Sequence, residues 1–176
     1  DRDGHLDVYI GFPGTMDFTN NLEAATRPDN LASQGIWFNE GDWKFKEAAV
    51  GNTITKSNQV YSHGAVASDI DQDGHVDIVV VDDSGRINPV YKNNGAGQFE
   101  EVSRASGLQA PGWSMGVSTG DFNGDGHLDI LSTNIALSAG TRILQSAQGS
   151  TGIDKLDTLR MEYVGAQLYQ SNGDGT

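Results

Sequence analysis

An all-β fold of about three four-stranded antiparallel units is predicted by three observations on this 176-residue sequence. An acidic loop running into an apolar stretch occurs three times, at DRDGHLDVYI (1–10), DIDQDGHVDIVVV (69–81) and DFNGDGHLDIL (121–131). Downstream of each lies a second repeated piece: IWFNEGDWKF (36–45), VYKNNGAGQFEEV (90–102) and LYQSNGDGT (168–176). Upstream of the later two loops, YSHGAVASD (61–69) aligns with WSMGVSTGD (113–121).

Taken in chain order, these pieces define the unit. The lead-in carries an aromatic, a Gly and small residues, which suits an innermost strand packed close to its neighbours. The acidic loop follows, and the apolar run after it reads as a second strand. A third strand then enters a turn rich in Asn and Gly. These residues accept the positive φ angles of tight turns between twisted strands. In the first two copies an aromatic, Phe45 or Phe99, leads out as a fourth strand. The spacing of 52 residues between Asp69 and Asp121 is that of a β-propeller blade. The chain is therefore a single repeat array over 1–176, with units at 1–60, 61–112 and 113–176. Length varies in one place within the unit, between its second and third strands, giving inserts at 11–35 and 135–165. In the second insert Ile153, Leu156 and Leu159 recur every three residues, so a short helix is expected over 153–162.

The loops carry the chemistry. Positions 1, 3, 5 and 9 are Asp69, Asp71, Asp73 and Asp77 in the second loop and Asp121, Asn123, Asp125 and Asp129 in the third. The first loop has Asp1, Asp3 and Asp7 at positions 3, 5 and 9 and lacks a position-1 ligand. Gly4, Gly74 and Gly126 at position 6 permit the bend that returns position 9 to the others. Carboxylates at alternate positions around one Gly repel unless a hard cation sits among them, and calcium takes about six to eight oxygens. Backbone carbonyls at position 7, from His5, His75 and His127, are expected to add a ligand. An EF-hand begins in the same way but ends in Glu at position 12, where this chain has Val80 or Ser132 in strand-like sequence. The expectation is two complete Ca2+ loops and one lacking its first ligand.

Composition fits that reading. With 24 acidic and 11 basic residues the net charge is −13, which disfavours nucleic acid and anionic membrane surfaces. Three divalent ions would add six positive charges and bring the total to −7. There is no cysteine, so disulfides and thiolate metal sites are excluded. No apolar run approaches membrane-spanning length, and the N-terminal residues do not read as a signal peptide.

The D-x-D-x-D-G-x-x-D loop, the W-x-M-G-x-x-x-G-D lead-in at 113–121 and the N-N-G-x-G-x-F turn at 93–99 resemble the FG-GAP or VCBS repeat family. Integrin α-subunit propellers and many bacterial surface proteins carry such repeats. The resemblance implies propeller blades, each with a calcium ion in the loop between its first two strands. Asn123 for Asp, and Trp43 where the turn usually has Gly, depart from the pattern.

Three of the four histidines share one repeat position, so the repeat explains them. His63 aligns with Met115 and is expected to pack rather than to catalyse. Trp37, Trp43 and Trp113 are expected mostly in the core, with Trp43 the best exposed candidate for sugar stacking. Asp157-Thr158-Leu159 resembles a bacterial O-glycan acceptor, a short and frequent pattern. The functional expectation is a non-enzymatic, extracellular or cell-surface calcium-binding module with a structural, adhesive or self-assembling role. Its expected partners are calcium, an extracellular protein or glycan, or a second copy. The second-copy contact would join NGDGT at 172–176 head to tail with the incomplete first loop. The alternative is part of a carbohydrate-active enzyme such as a polysaccharide lyase, or a glycan-binding module; for the enzyme, no convincing pair of a base and a charge-stabilising cation stands out beyond the metal loops.

Overall fold

The computed structural model describes residues 2–11, 34–48, 54, 61–83, 86–108, 111–134 and 165–173. Most of both inserts, the expected helix at 153–162, Asp157-Thr158-Leu159, Asp1 and residues 174–176 lie outside them. The head-to-tail expectation turns on those end residues.

The elements described are β-strands, twelve in all, in three antiparallel sheets and one short ribbon. The complete sheet is the central one, with neighbours in the order β4 (Ser62–Ser68), β5 (Asp77–Asp82), β7 (Val90–Asn93) and β8 (Phe99–Glu101). This is the unit read from the sequence: lead-in, post-loop strand, pre-turn strand and aromatic exit. The first sheet is β1 (Val8–Ile10), β2 (Gly35–Asn39) and β3 (Phe45–Glu47). The third is β10 (Ser114–Gly120), β11 (Asp129–Asn134) and β12 (Gln167–Tyr169). Each has three described strands, and their pairings repeat those of the central sheet.

Alternation along β5 explains the packing. Ile78 and Val80 join Ile36, Tyr91 and Phe99 in one apolar cluster between the first and second sheets. Val79 points the other way, into a cluster with Val90, Leu108 and Ile130 between the second and third. A strand buried on both faces reads as a continuous apolar run, and Ile78 to Val81 are all buried. The small residues of the lead-ins let the inner strands β4 and β10 approach each other across the sheets. A Cβ on Gly64 would stand 3.4 Å from Val81 and 3.9 Å from the Met115 carbonyl oxygen.

Two local features depart from the sequence reading. His63 and Met115 do not pack: His63 is exposed and Met115 is 39 % exposed. The cause is a β-bulge at the same place in both inner strands, where register shifts between Ser62 and Gly64 and between Ser114 and Gly116. A bulged residue is left unpaired and turned off the packed face. The ribbon β6 (Arg86–Ile87) with β9 (Pro111–Gly112) was not foreseen; it ties the β5–β7 connection to the next lead-in.

Candidate metal centre

The acidic loops sit at the β4–β5 and β10–β11 connections, and the first precedes β1. Each ligand position has the same backbone partner in every described copy. The position-5 carboxylate accepts the position-7 N–H, with His5 to Asp3, His75 to Asp73 and His127 to Asp125 all at 2.8 Å. At position 1, Asp69 Oδ2 accepts from Gly74 N and Asp121 Oδ2 from Gly126 N, both at 2.9 Å. Position 4 has positive φ in all three loops, at Arg2, Gln72 and Gly124, and position 6 likewise at Gly4, Gly74 and Gly126. The loops are thus folded by their own side chains around two left-handed residues.

Position 9 serves a second purpose. Asp77 Oδ1 accepts from Asn93 N at 2.9 Å and Oδ2 from Ile70 N at 3.1 Å. Asp129 does the same with Ser171 N and Phe122 N, both at 3.0 Å, and Asp7 with Asn39 N at 2.9 Å. Asp77 and Asp129 are buried. This carboxylate clamps loop to turn within its own sheet. Asn93 reinforces the clamp by donating to the Val76 carbonyl and accepting from Gly95 N, and Asn39 makes the matching bonds to the Leu6 carbonyl and Gly41 N.

The histidine side chains complete the clamp. A Cβ on Gly41, Gly95 or Gly173 would meet the ring of His5, His75 or His127 at 3.3, 2.3 and 2.6 Å. Each ring therefore lies against the turn glycine of its own sheet. Nothing in the sequence pairs these residues except their shared period.

The second loop brings three acids together. Asp69, Asp71 and Asp77 each offer a carboxylate oxygen, and these oxygens lie within 4.8 Å of one another. Asp69 Oδ1 is buried and has no hydrogen-bond partner. Burial pushes the Asp77 carboxyl up from its ordinary range, against the bonds from Asn93 and Ile70, and the charges of Asp71 and Asp73 push the same way. An orphaned oxygen, a strained neighbouring acid and an all-oxygen donor set fit a hard divalent cation. Lys92 lies beside the same carboxylates, bonded to Asp71 Oδ2 and 3.4 Å from Asp73 Oδ2. The bond to Asp71 raises the Lys92 pKa, and the His75 N–H, followed by Lys92, lowers that of Asp73. The sequence reading passed over Lys92, whose signal was its place between Tyr91 and Asn93 on a strand: alternation turns it away from their buried face.

The third loop is arranged differently. Both Asp121 oxygens accept backbone N–H groups, Oδ1 from Gly124 and Asp125 and Oδ2 from Gly126. Asn123 donates to Asp125 Oδ2 at 2.8 Å. The His127 N–H, followed by that amide, holds the Asp125 carboxyl below its ordinary range. Its acids do not converge as those of the second loop do among the described residues. Asp3, His5 and Asp7 of the first loop keep the repeat's bonds. The loops also touch one another: Gln72 Nε2 donates to the Gly126 carbonyl at 2.6 Å, and a Cβ on Gly74 would meet the Arg2 guanidinium at 2.7 Å.

Trp37 and Trp113 are half-buried, while Trp43 is 88 % exposed. Among the described residues no helix is long and apolar enough to cross a membrane.

Comparison with known proteins agrees with this geometry. Residues 69–132, the second loop through the third, match the family model described as FG-GAP-like repeat. The chain is also similar to human cartilage acidic protein 1, with 27 % identity over 152 residues. That alignment covers 80 % of this chain and 23 % of the human protein, so the chain spans about a quarter of that relative's length.

Proposed function

We propose that this chain is a calcium-binding propeller module that acts outside the cell in a structural or adhesive role and is not an enzyme. One observation carries the reading: a buried Asp69 oxygen without a partner, beside Asp71 and Asp77 oxygens within 4.8 Å. In this reading Asp69, Asp71, Asp73 and Asp77 hold one ion with the His75 carbonyl. Asp121, Asn123, Asp125 and Asp129 hold another with the His127 carbonyl, and Asp1, Asp3, Asp7 and the His5 carbonyl form part of a third. The ion neutralises the clustered acids and locks each loop to the turn clamped by position 9. Location outside the cell is supported by the human relative, named for cartilage, and by the weak affinities of open extracellular calcium loops, about 10⁻⁴ to 10⁻³ M.

Thermal melting in EDTA and in about 10 mM calcium tests the assignment. At about ten to a hundred times its dissociation constant a ligand stabilises by about 1.4–2.7 kcal/mol per site, and for a chain of this size each kcal/mol is worth roughly 2–4 °C. A rise of at least about 5 °C is expected with calcium and little with magnesium, which demands tighter octahedral geometry. Superimposable melting curves in EDTA and calcium would remove the assignment.

A further inference from the structure

Of the two loops that retain a position-1 ligand, only the second contains a cation of the protein's own among the described residues. Lys92 sits on β7 between Tyr91, which is buried, and Asn93, whose N–H is held by Asp77. Its backbone is fixed, and alternation sends its side chain into the cleft between the second and third sheets, shared with Ile70, Asp71 and Leu128. There the ammonium bonds Asp71 and lies 3.4 Å from Asp73. The equivalent residues are Phe38 on β2 and Gln170 after β12, and neither carries charge.

We propose that Lys92 is a displaceable internal counter-ion that lowers the calcium affinity of the second loop; the inference rests on the calcium reading above. Four acids in the second loop, Asp69, Asp71, Asp73 and Asp77, less one ammonium leave −3. Three in the third, Asp121, Asp125 and Asp129, also give −3. Without calcium, Lys92 thus brings the second loop to the charge of the third. A calcium ion bound through Asp71 takes the oxygen that the ammonium holds, so the two compete for one carboxylate. Departure is open to Lys92, because its side chain is 43 % exposed. A landing place exists as well: Glu100 on β8 is its cross-strand partner, on the same face of the sheet. The second loop then trades ammonium for calcium, whereas the third, among the described residues, has the neutral Asn123 amide to rearrange.

The test is calcium titration by calorimetry in a background of Asp3→Asn, Asp121→Asn and Asp125→Asn, which leaves the second loop as the strong site. Lys92→Met keeps the apolar stem and removes the charge; Lys92→Gln serves if the methionine variant does not fold. Either is expected to bind calcium roughly five- to tenfold tighter than the background protein, with Lys92→Arg close to the background value. In EDTA the Lys92→Met protein should melt below the background protein, and saturating calcium should close the gap. Equal affinities with and without the Lys92 charge overturn the counter-ion and leave the calcium reading standing. Absence of calcium binding both here and in the unmodified chain overturns the two together.

Discussion

The second and third loops are near copies in backbone and differ in how they hold charge. Both use position 1 to hold Gly at position 6, position 5 to hold the His N–H and position 9 to clamp the turn. The second loop leaves an Asp69 oxygen bare and neutralises Asp71 with Lys92; the third satisfies both Asp121 oxygens and tethers Asp125 with an amide. A repeat can therefore keep the hydrogen bonds that shape a loop while varying the groups that balance its charge. Shape depends on short-range Asx bonds that any copy can make. Charge depends on which side chains the neighbouring strands place nearby.

That division predicts that position 9 matters most to stability, in both copies. Asp77→Ala and Asp129→Ala each orphan two backbone N–H groups that donate to a buried carboxylate, at roughly 1.5–3 kcal/mol per bond. Losses of about 3 kcal/mol for Asp77→Ala and about 4 kcal/mol for Asp129→Ala are expected in urea titrations with EDTA present. The first is smaller because Asp77 bears burial in company with Asp71 and Asp73, whereas Asn123 replaces one of those charges beside Asp129. Asp69→Ala should cost about 1 kcal/mol in EDTA yet abolish calcium binding at its loop. If Asp69→Ala costs as much as Asp77→Ala in EDTA, the separation of clamp from ion site is wrong.

The strands after the loops extend the contrast. Val80 on β5 and Ser132 on β11 occupy equivalent positions, both buried. Val80→Ser removes apolar contact from the cluster between the first two sheets and buries a hydroxyl, at a cost of about 3 kcal/mol. Ser132→Ala should do the opposite, gaining about 1 kcal/mol, since the Ser132 hydroxyl is already buried without a partner. Denaturant midpoints that shift in the same direction for both variants would break the equivalence of the two strands.

Much of this was legible in the sequence because repeats align themselves. The four strands of the central sheet follow from YSHGAVASD, the run after Asp77, VYKNN and Phe99, and the loop acids from their alternate spacing around one Gly. What escaped depends on direction rather than residue type. The bulge at His63 and Met115 inserts one residue into an otherwise regular alternation, and no local residue announces it. The β6–β9 ribbon is two residues long on each side and includes Pro111, too short for any period to register. Lys92 reads as an ordinary strand lysine until Tyr91 is known to be buried, which fixes the side of the sheet on which the ammonium emerges.

The turns permit the mildest form of the comparison. In the central sheet Gly97 has φ 71° and lies where a Cβ would collide with Phe38 at 2.7 Å, so glycine is required there twice over. The first sheet places Trp43 at the same position with φ 59° and the ring 88 % exposed. A left-handed conformation costs a residue with a Cβ about 1–2 kcal/mol, and an exposed ring recovers little of that by packing. Glycine in turn lowers the conformational restriction of the unfolded chain, which takes back part of the gain. Trp43→Gly should therefore stabilise the chain by about 0.5–1 kcal/mol, read as a raised urea midpoint with unchanged slope. A destabilised Trp43→Gly variant would mean that contacts of the ring within the protein outweigh the left-handed backbone cost, and that the two turns are not equivalent at this position.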